Sequence, residues 1–485
     1  MNIVIPDKYK LKDYQIDDVK FIVKRQKVLL SHEMGLGKTI ITIASINTIN
    51  KNIKPLTNIL IVVPKILLSK WEKTLQDWLV DDELKNNIYV ITSNSSNKYL
   101  NIIKHGIIII NYDILYKKRE FLYQFDFDMI VLDECQYIKN RKLSSTKTII
   151  GGIVNKQRLK MLNAKYKIAL SGTPIKQTPS DLWPVLKWLD KKQFGNWYSF
   201  AKRYCGLEQT KYGYLKETGP QNIDELYKKL VNTVMIRRTR KSVGIMSNKI
   251  VNTIYLTPNA KTMQQYNKLL NDKYVNIENE IKEAIDKLND NKITTDEFVL
   301  FFNSKRKELI KFKDLSTIKK KLGILKAPYI IKYINDKLNE FKKIVVFVYH
   351  VDVGNILSSF FGCDFIHGGL TPKQKDNMIN NFKSNEDIQI LVCNIQVANM
   401  GIDLDISNYL IFGELDWRAM DLEQAESRII RLTQTKQPII DYLILQNTLD
   451  EYIGTVIVNK RELFKSVIDN TMNIEEYDIA NDLFD

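Results

Sequence analysis

The chain is poor in the residues that build cross-links and metal cages. Its four cysteines, Cys135, Cys205, Cys363 and Cys393, are scattered and form no Cys-x-x-Cys pair. This excludes a zinc ribbon and a disulfide framework and suits a reducing compartment. The four histidines show no metal-ligand spacing. No apolar run approaches the ~18 residues of a membrane span. Residues Met1 to Lys12 lack the apolar core of a signal peptide, so a cytosolic or nuclear location is expected. No repeat appears beyond two similar α/β halves, and no low-complexity tract appears. Acids are also short against bases. The 485 residues hold 56 Asp and Glu against 72 Lys and Arg, a net charge of +16. That excess fits a polyanionic partner, most simply nucleic acid. The abundance of Lys, Asn and Ile equally reads as the coding bias of an AT-rich genome, such as a viral or mobile element.

What is present is an α/β texture. Hydrophobic residues make up 44% and charged residues 26%, the balance of a globular chain. The length suits roughly two to four domains. Short apolar runs at Val28–Leu30, Ile59–Val63, Tyr89–Ile91, Ile107–Ile110, Met129–Leu132 and Tyr166–Leu170 alternate with helical patterns. Buried β-branched runs separated by helices predict a parallel sheet covered on both faces. The texture returns at Ile344–Val348, Cys363–Ile366, Gln389–Val392, Tyr409–Phe412 and Ile439–Leu445, with helices at Lys373–Lys383 and Asp421–Leu432. From Asp181 to Lys320 no strand rhythm is evident, and Lys261–Asp290 and Thr295–Lys313 read as charged helices. The expected organisation is a first RecA-like lobe (1–188), a helical insertion (189–318), a second RecA-like lobe (319–470) and an acidic tail (471–485).

Between the first apolar run and a helical pattern lies His32-Glu33-Met34-Gly35-Leu36-Gly37-Lys38-Thr39. Strand, glycine loop and helix in that order cradle a nucleotide triphosphate. Backbone N–H groups and the helix N-terminus face the phosphates, Lys38 reaches the β- and γ-phosphates, and Thr39 holds Mg²⁺. Taken alone, the segment would equally be a glycine turn capping a buried helix. The run Met129–Leu132 ends in Asp133 and Glu134. In a nucleotide-binding sheet Asp133 would hold the metal and Glu134 would polarise the attacking water. Ser171-Gly172-Thr173-Pro174 follows another strand, and its hydroxyls can bond to those acids. Arg428 and Arg431, three apart on an expected helix, share a face. They would enter the γ-phosphate site as arginine fingers in cis.

Together these segments resemble the superfamily-two helicase ATPases. Within them they resemble the Swi/Snf-like DNA translocases, nearest in type to the HARP-like annealing-helicase branch. The resemblance runs from Leu11 to about Leu463. Leu11–Gln15 looks like the adenine-recognising segment, with Gln15 as reader. Glu33, Met34, Gly35, Leu36, Gly37, Lys38 and Thr39 match the nucleotide cradle, with His32 where Asp is usual. Ile61–Pro64 with Trp71-Glu72 looks like a motif on the DNA side, and Ile110–Asp113 fits a further first-lobe segment. Gln136 replaces His, and Thr433 replaces Gly. Met235–Lys241 resembles the basic segment, whose Arg237, Arg238 and Arg240 would add charge near the DNA track. In the second lobe Val345–His350, His367–Gly369, Asn399–Leu404 and Glu414–Trp417 fall in family order, and Gly401 and Asp403 would face the nucleotide. Leu449–Glu451 and Lys460–Leu463 fit the closing helices.

The resemblance implies ATP and Mg²⁺ as cofactors, Lys38, Glu134, Arg428 and Arg431 as catalytic residues, and Thr39 and Asp133 as metal ligands. It implies a monomeric translocase on double-stranded DNA that remodels DNA or protein–DNA complexes, by fork remodelling or strand annealing. Two alternatives stand beside it. One is a strand-separating helicase acting on single-stranded or forked DNA or RNA. The other is an inactive nucleic-acid-binding scaffold.

Overall fold

A computed structural model describes residues 1–175, 178–209, 215–244, 249–270, 315–400, 402–416, 419–430, 434–451 and 453–454, with scattered residues from 280 to 301. The chain divides into two compact lobes, the first running to Ile245 and the second starting at Met246.

The first lobe contributes strands β1 (Lys27–Leu30), β2 (Asn58–Val63), β3 (Ile88–Ile91), β4 (Gly106–Asn111), β5 (Phe127–Asp133), β6 (Gly151–Val154), β7 (Gln157–Met161), β8 (Ala164–Leu170), β9 (Leu207–Gln209), β10 (Leu215–Glu217) and β11 (Met235–Ile236). Seven of these form one sheet in the order β11-β1-β8-β5-β2-β4-β3. Every pairing in it is parallel. Ile59 to Val63 and Ile107 to Ile110 are buried, as strands covered on both faces must be. Helix α1 (Asp13–Arg25) buries Tyr14, Gln15, Asp18, Val19 and Ile22, one face of a 3.6-residue period. An acid in that apolar stripe calls for a partner. Helix α2 (Lys38–Asn52) buries every residue from Ile41 to Ile49 and so lies inside the lobe.

The second lobe has β12 (Ile250–Leu256), β13 (Ile344–Val348), β14 (Phe365–Ile366), β15 (Ile390–Asn394), β16 (Tyr409–Phe412) and β17 (Ile439–Leu445). They form a six-stranded sheet in the order β12-β17-β16-β13-β15-β14, again parallel throughout. Two parallel-sheet α/β lobes are thus as expected. The connecting region is not. It supplies β11 to the edge of the first sheet and β12 to the edge of the second, besides the hairpin β9–β10. Edge strands are half-exposed. Ile250–Leu256, interrupted by Asn252 and Thr253, and the dipeptide Met235-Ile236 therefore lack the continuous apolar run that marks the central strands. Of the expected charged helices, Ala260–Leu269 is present. Most of 271–313, residues 460–463 and the tail lie outside the described residues. No described helix is long and apolar enough to cross a membrane.

One ion pair closes the second lobe. Lys326, 1% exposed, donates to Leu443 O at 2.5 Å and to the Asp450 carboxylate. Removing one partner leaves a buried charge alone. We expect Lys326→Ala to cost ~3–5 kcal/mol, and Lys326→Met with Asp450→Leu to cost much less. Urea denaturation followed by far-ultraviolet circular dichroism checks this. Equal losses in the two variants would mean that packing, and not the pair, dominates.

Candidate nucleotide site

Register brings the first-lobe motifs together. Leu30 at the end of β1 and Asp133 at the end of β5 both pair with Leu170 of β8, and Leu30 also pairs with Ile236 of β11. Four neighbouring strands therefore end at one level. From that level depart Ser31 and the glycine loop, Ser171-Gly172-Thr173, Glu134, and Arg237. The carboxyl ends of parallel strands are where α/β sheets hold ligands.

The loop has the geometry of an anion cradle. Gly35 and Gly37 have φ of 84° and 77°, in the left-handed region that favours glycine. Gly37 is the N-cap of α2, and Lys38 and Thr39 open that helix. A Cβ on Gly37 would stand 2.5 Å from Gln15 Nε2, so the Gln15 amide packs directly on the loop. Gln15 Oε1 accepts from Lys12 N at 2.9 Å, and Tyr14 Oη donates to Leu36 O at 3.1 Å. The start of α1 is thereby fastened to the cradle. Lys38 Nζ is folded back onto its own loop, donating to His32 O (2.7 Å) and Glu33 O (3.1 Å). Burial pushes its ammonium down to about 8. Glu134 and Asp133 oppose that shift, and Arg237 and Arg240 add to it.

Asp133 is buried at the end of β5. Its Oδ2 accepts from Trp71 Nε1 at 2.7 Å and its Oδ1 from Glu134 N at 2.9 Å. Burial, and then the Glu134 charge, push its carboxyl up to about 6. Two carboxylates held together in a buried site favour a cation between them. Glu134 sits at φ 49°, a left-handed conformation that costs a non-glycine residue roughly 1–2 kcal/mol. A chain of bonds then leaves it: Gln136 Nε2 donates to Glu134 Oε2 (2.6 Å), Ser171 Oγ to Gln136 Oε1 (2.7 Å), and Thr173 N to Ser171 Oγ (3.0 Å). Gln136 thus joins the acids to the Ser-Gly-Thr turn.

Two segments read from the motifs take definite places. Trp71 belongs to the segment expected on the DNA side. It is 1% exposed and positions Asp133, because α3 (Leu68–Trp78) turns its buried face, Leu68, Trp71 and Leu75, to the sheet. The basic segment is the second. Arg237 Nη1 donates to Ser31 O (2.6 Å), Arg240 N to Glu33 Oε2 (2.7 Å) and Arg240 Nη2 to Met34 O (2.7 Å). Arg238 Nε donates to Asp18 Oδ1 (2.7 Å). These arginines clasp the glycine loop, since β11 pairs with β1 and delivers them at its end. The sequence carries no clear sign of this, because Met235-Ile236 is only two apolar residues long.

His32 is fully buried between them. Its Nδ1 accepts from Arg238 N (3.1 Å), so Nε2 carries the hydrogen and donates to Asp18 Oδ2 (2.7 Å). The unusual His32 and the buried acid of α1 thus satisfy each other, with Arg238 as the cation.

In the second lobe, the helix expected through Leu432 ends at Glu426. Arg428 lies in the turn beyond it, where its N–H bonds Ala425 O at 3.0 Å and its carbonyl accepts from Leu404 N at 2.9 Å. Arg428 is therefore pinned beside the exposed Asp403. Gly401 and Arg431 lie outside the described residues. Glu414 gathers Tyr349 N, His350 N and His350 Nδ1 at 3.0, 2.9 and 2.6 Å, which joins two further sequence segments.

Two parallel-sheet lobes, the first with a glycine loop opening a helix beside paired strand-end acids, define a class: the two-lobed helicase-type α/β proteins. The chain belongs to the SNF2-related domain family, whose model matches residues 14–308. The helicase conserved C-terminal domain matches residues 325–433. It is 28% identical over 475 residues to the Drosophila melanogaster SWI/SNF-related matrix-associated actin-dependent regulator of chromatin subfamily A-like protein 1, covering 94% of this chain and 56% of that protein. It is 26% identical over 480 residues to the Mus musculus DNA annealing helicase and endonuclease ZRANB3, covering 96% and 41%. The chain thus spans about half the length of the curated relatives it matches. A solved structure, the Sulfolobus solfataricus SWI2/SNF2 ATPase core in complex with dsDNA, aligns over 97% of each chain at 24% identity with a TM-score of 0.43.

Burial holds the His32 imidazole below its usual 6.5, against the pull of Asp18. The neutral form is therefore the folded form. The stability this contributes is present above pH 6.5 and is lost as pH falls from there through the lowered value, because the unfolded chain takes the proton first. We expect His32→Gln to have a shallower loss of stability between pH 6.5 and pH 5 than wild type, read from thermal unfolding at stepped pH. A parallel slope would show that other groups set the acid limb.

Proposed function

We propose that the protein is an ATP-dependent translocase on double-stranded DNA. The observation that supports this most is the convergence, at one level of the first sheet, of the Lys38 loop, the Asp133–Glu134 pair and the Ser171–Thr173 turn, in a chain of the SNF2-related family. ATP is the substrate. Lys38, released from His32 O and Glu33 O, would meet the β- and γ-phosphates, and the N–H groups of Gly35 to Thr39 would line them. Gln15 would read the adenine. Thr39 and Asp133 suit Mg²⁺, which takes few protein ligands and draws the rest from phosphate and water. When bound, the ion neutralises charge on the phosphates. Glu134, held by Gln136 Nε2, would orient the attacking water. The bond chain from Glu134 to Thr173 gives that acid a route to sense the rest of the lobe.

The second lobe would supply Arg428 and Arg431, together with Gly401 and Asp403, to the nucleotide. These four roles rest on the sequence motifs. Duplex DNA as the track follows from the family and from the net charge of +16. The mouse relative's name, a DNA annealing helicase, extends the proposal to annealing of DNA strands. The protein would then act inside the cell, wherever its DNA lies.

The test is ATP hydrolysis measured without nucleic acid and with single strands, duplex, forked DNA and RNA. Duplex or forked DNA should stimulate most. Preference for RNA would favour an RNA-directed motor, and absence of hydrolysis a scaffold. Lys38→Ala should abolish turnover. Glu134→Gln should keep nucleotide binding and lose turnover. Arg431→Ala should bind ATP and DNA yet turn over ~10³-fold more slowly. Wild-type rates in Glu134→Gln would remove that residue from the chemistry.

A further inference from the structure

The charge of the chain is not evenly spread. Between Glu134 and Asp181 lie ten lysines and arginines and no aspartate or glutamate. One stretch thus supplies a charge of +10 out of the whole chain's +16. At its centre is the antiparallel hairpin β6–β7, a two-stranded sheet separate from the parallel one.

Period-two alternation sorts its side chains. Leu159 is buried at 5% and pairs with Gly152 on the inner face. Arg158 pairs with Ile153 on the other face, and Lys160 follows on that same face. Arg158 and Lys160 are exposed, as is Ile153 at 62%. Lys156 stands at the tip, in a two-residue turn whose Asn155 and Lys156 have φ of 47° and 65°. Glycine is the unstrained residue at the second position of such a turn. A lysine there costs roughly 1 kcal/mol of backbone strain and puts a cation at the point farthest out. Lys156, Arg158 and Lys160 make no ion pair among the described residues.

The ribbon is held rigidly from behind. Tyr123 Oη donates to Lys160 O at 2.9 Å, Arg119 Nη2 to Gln157 Oε1 at 3.3 Å, and Lys147 Nζ to Ile153 O at 2.7 Å. Two backbone carbonyls and one side-chain amide of the ribbon are thus held by the lobe, while the outward cations have no partner among its described residues. An acid-free, preorganised ribbon with three unpaired cations matches a polyanion of regular charge spacing, and a two-stranded ribbon is of a size that a DNA groove admits.

We infer that the outward face of β6–β7 is a second nucleic-acid contact of the first lobe, at which Lys156, Arg158 and Lys160 bind backbone phosphates without reading sequence. It rests on the duplex-DNA reading above and adds a surface that no helicase motif supplies.

The test is the salt dependence of binding to a fluorescein-labelled duplex, measured by anisotropy for wild type and for Lys156→Gln/Arg158→Gln/Lys160→Gln. Each cation–phosphate pairing that is removed lowers the slope of log K against log salt by about 0.9. The triple variant should therefore drop by about 2 to 3 in slope and bind at least roughly tenfold more weakly at low salt. It should unfold at the wild-type temperature, since the three side chains are exposed. A matched variant, Lys24→Gln/Lys51→Gln/Lys104→Gln, removes the same charge elsewhere and should keep the wild-type slope. Equal slopes in the hairpin variant and wild type overturn the inference and leave the translocase reading standing. So does an equal drop in the matched variant, which would make net charge alone the cause. Wild-type protein that binds no duplex overturns both.

Discussion

The constraint on which the first lobe depends is the parallel register around Leu170. Because β8 lies between β1 and β5, and β11 lies on the far side of β1, four segments distant in sequence end their strands at the same height. A slip of one residue in any of these pairings would turn its buried side chains to the opposite face. The apolar strands therefore fix the register, and the register fixes which polar residues meet. The candidate nucleotide site is a by-product of hydrophobic pairing, placed where the strands stop and the backbone must turn.

Charge is organised around that point in two sets. Asp18, His32 and Arg238 form a closed, buried group that ties α1 to the loop and to the segment after β11. Lys38, Arg237 and Arg240 stand against Asp133 and Glu134. In the second set the cations rest on loop carbonyls and the acids on Trp71 and Gln136. The residue exchanges at His32 and Gln136 both have partners here. His32 has an acid from α1, and Gln136 bonds the acid on one side and Ser171 on the other.

The second lobe shows how a local end of structure moves a residue from one setting to another. An amphipathic pattern continues past Glu426, but the Arg428 carbonyl is taken by Leu404 N. That bond fixes Arg428 against the segment carrying Asp403. In the first lobe the hairpin β6–β7 is the opposite case, an addition outside the sheet whose inner face packs and whose outer face holds charge the fold does not use.

The sequence by itself determined the architecture of both lobes, the central strands, the glycine loop and the two strand-end acids. These are local: continuous apolar runs, glycine before lysine, acids after a buried strand. Tertiary structure decided what depends on long-range pairing. Edge strands β11 and β12 have no run of their own and are strands only because β1 and β17 accept them. The inward turn of Trp71, the clasp of Arg237, Arg238 and Arg240 on the loop, and the Asp18–His32 pair join residues up to 220 positions apart, and no local pattern records such a meeting. A side chain that is polar and buried takes its role from whichever partner the fold delivers, and only the assembled sheet names that partner.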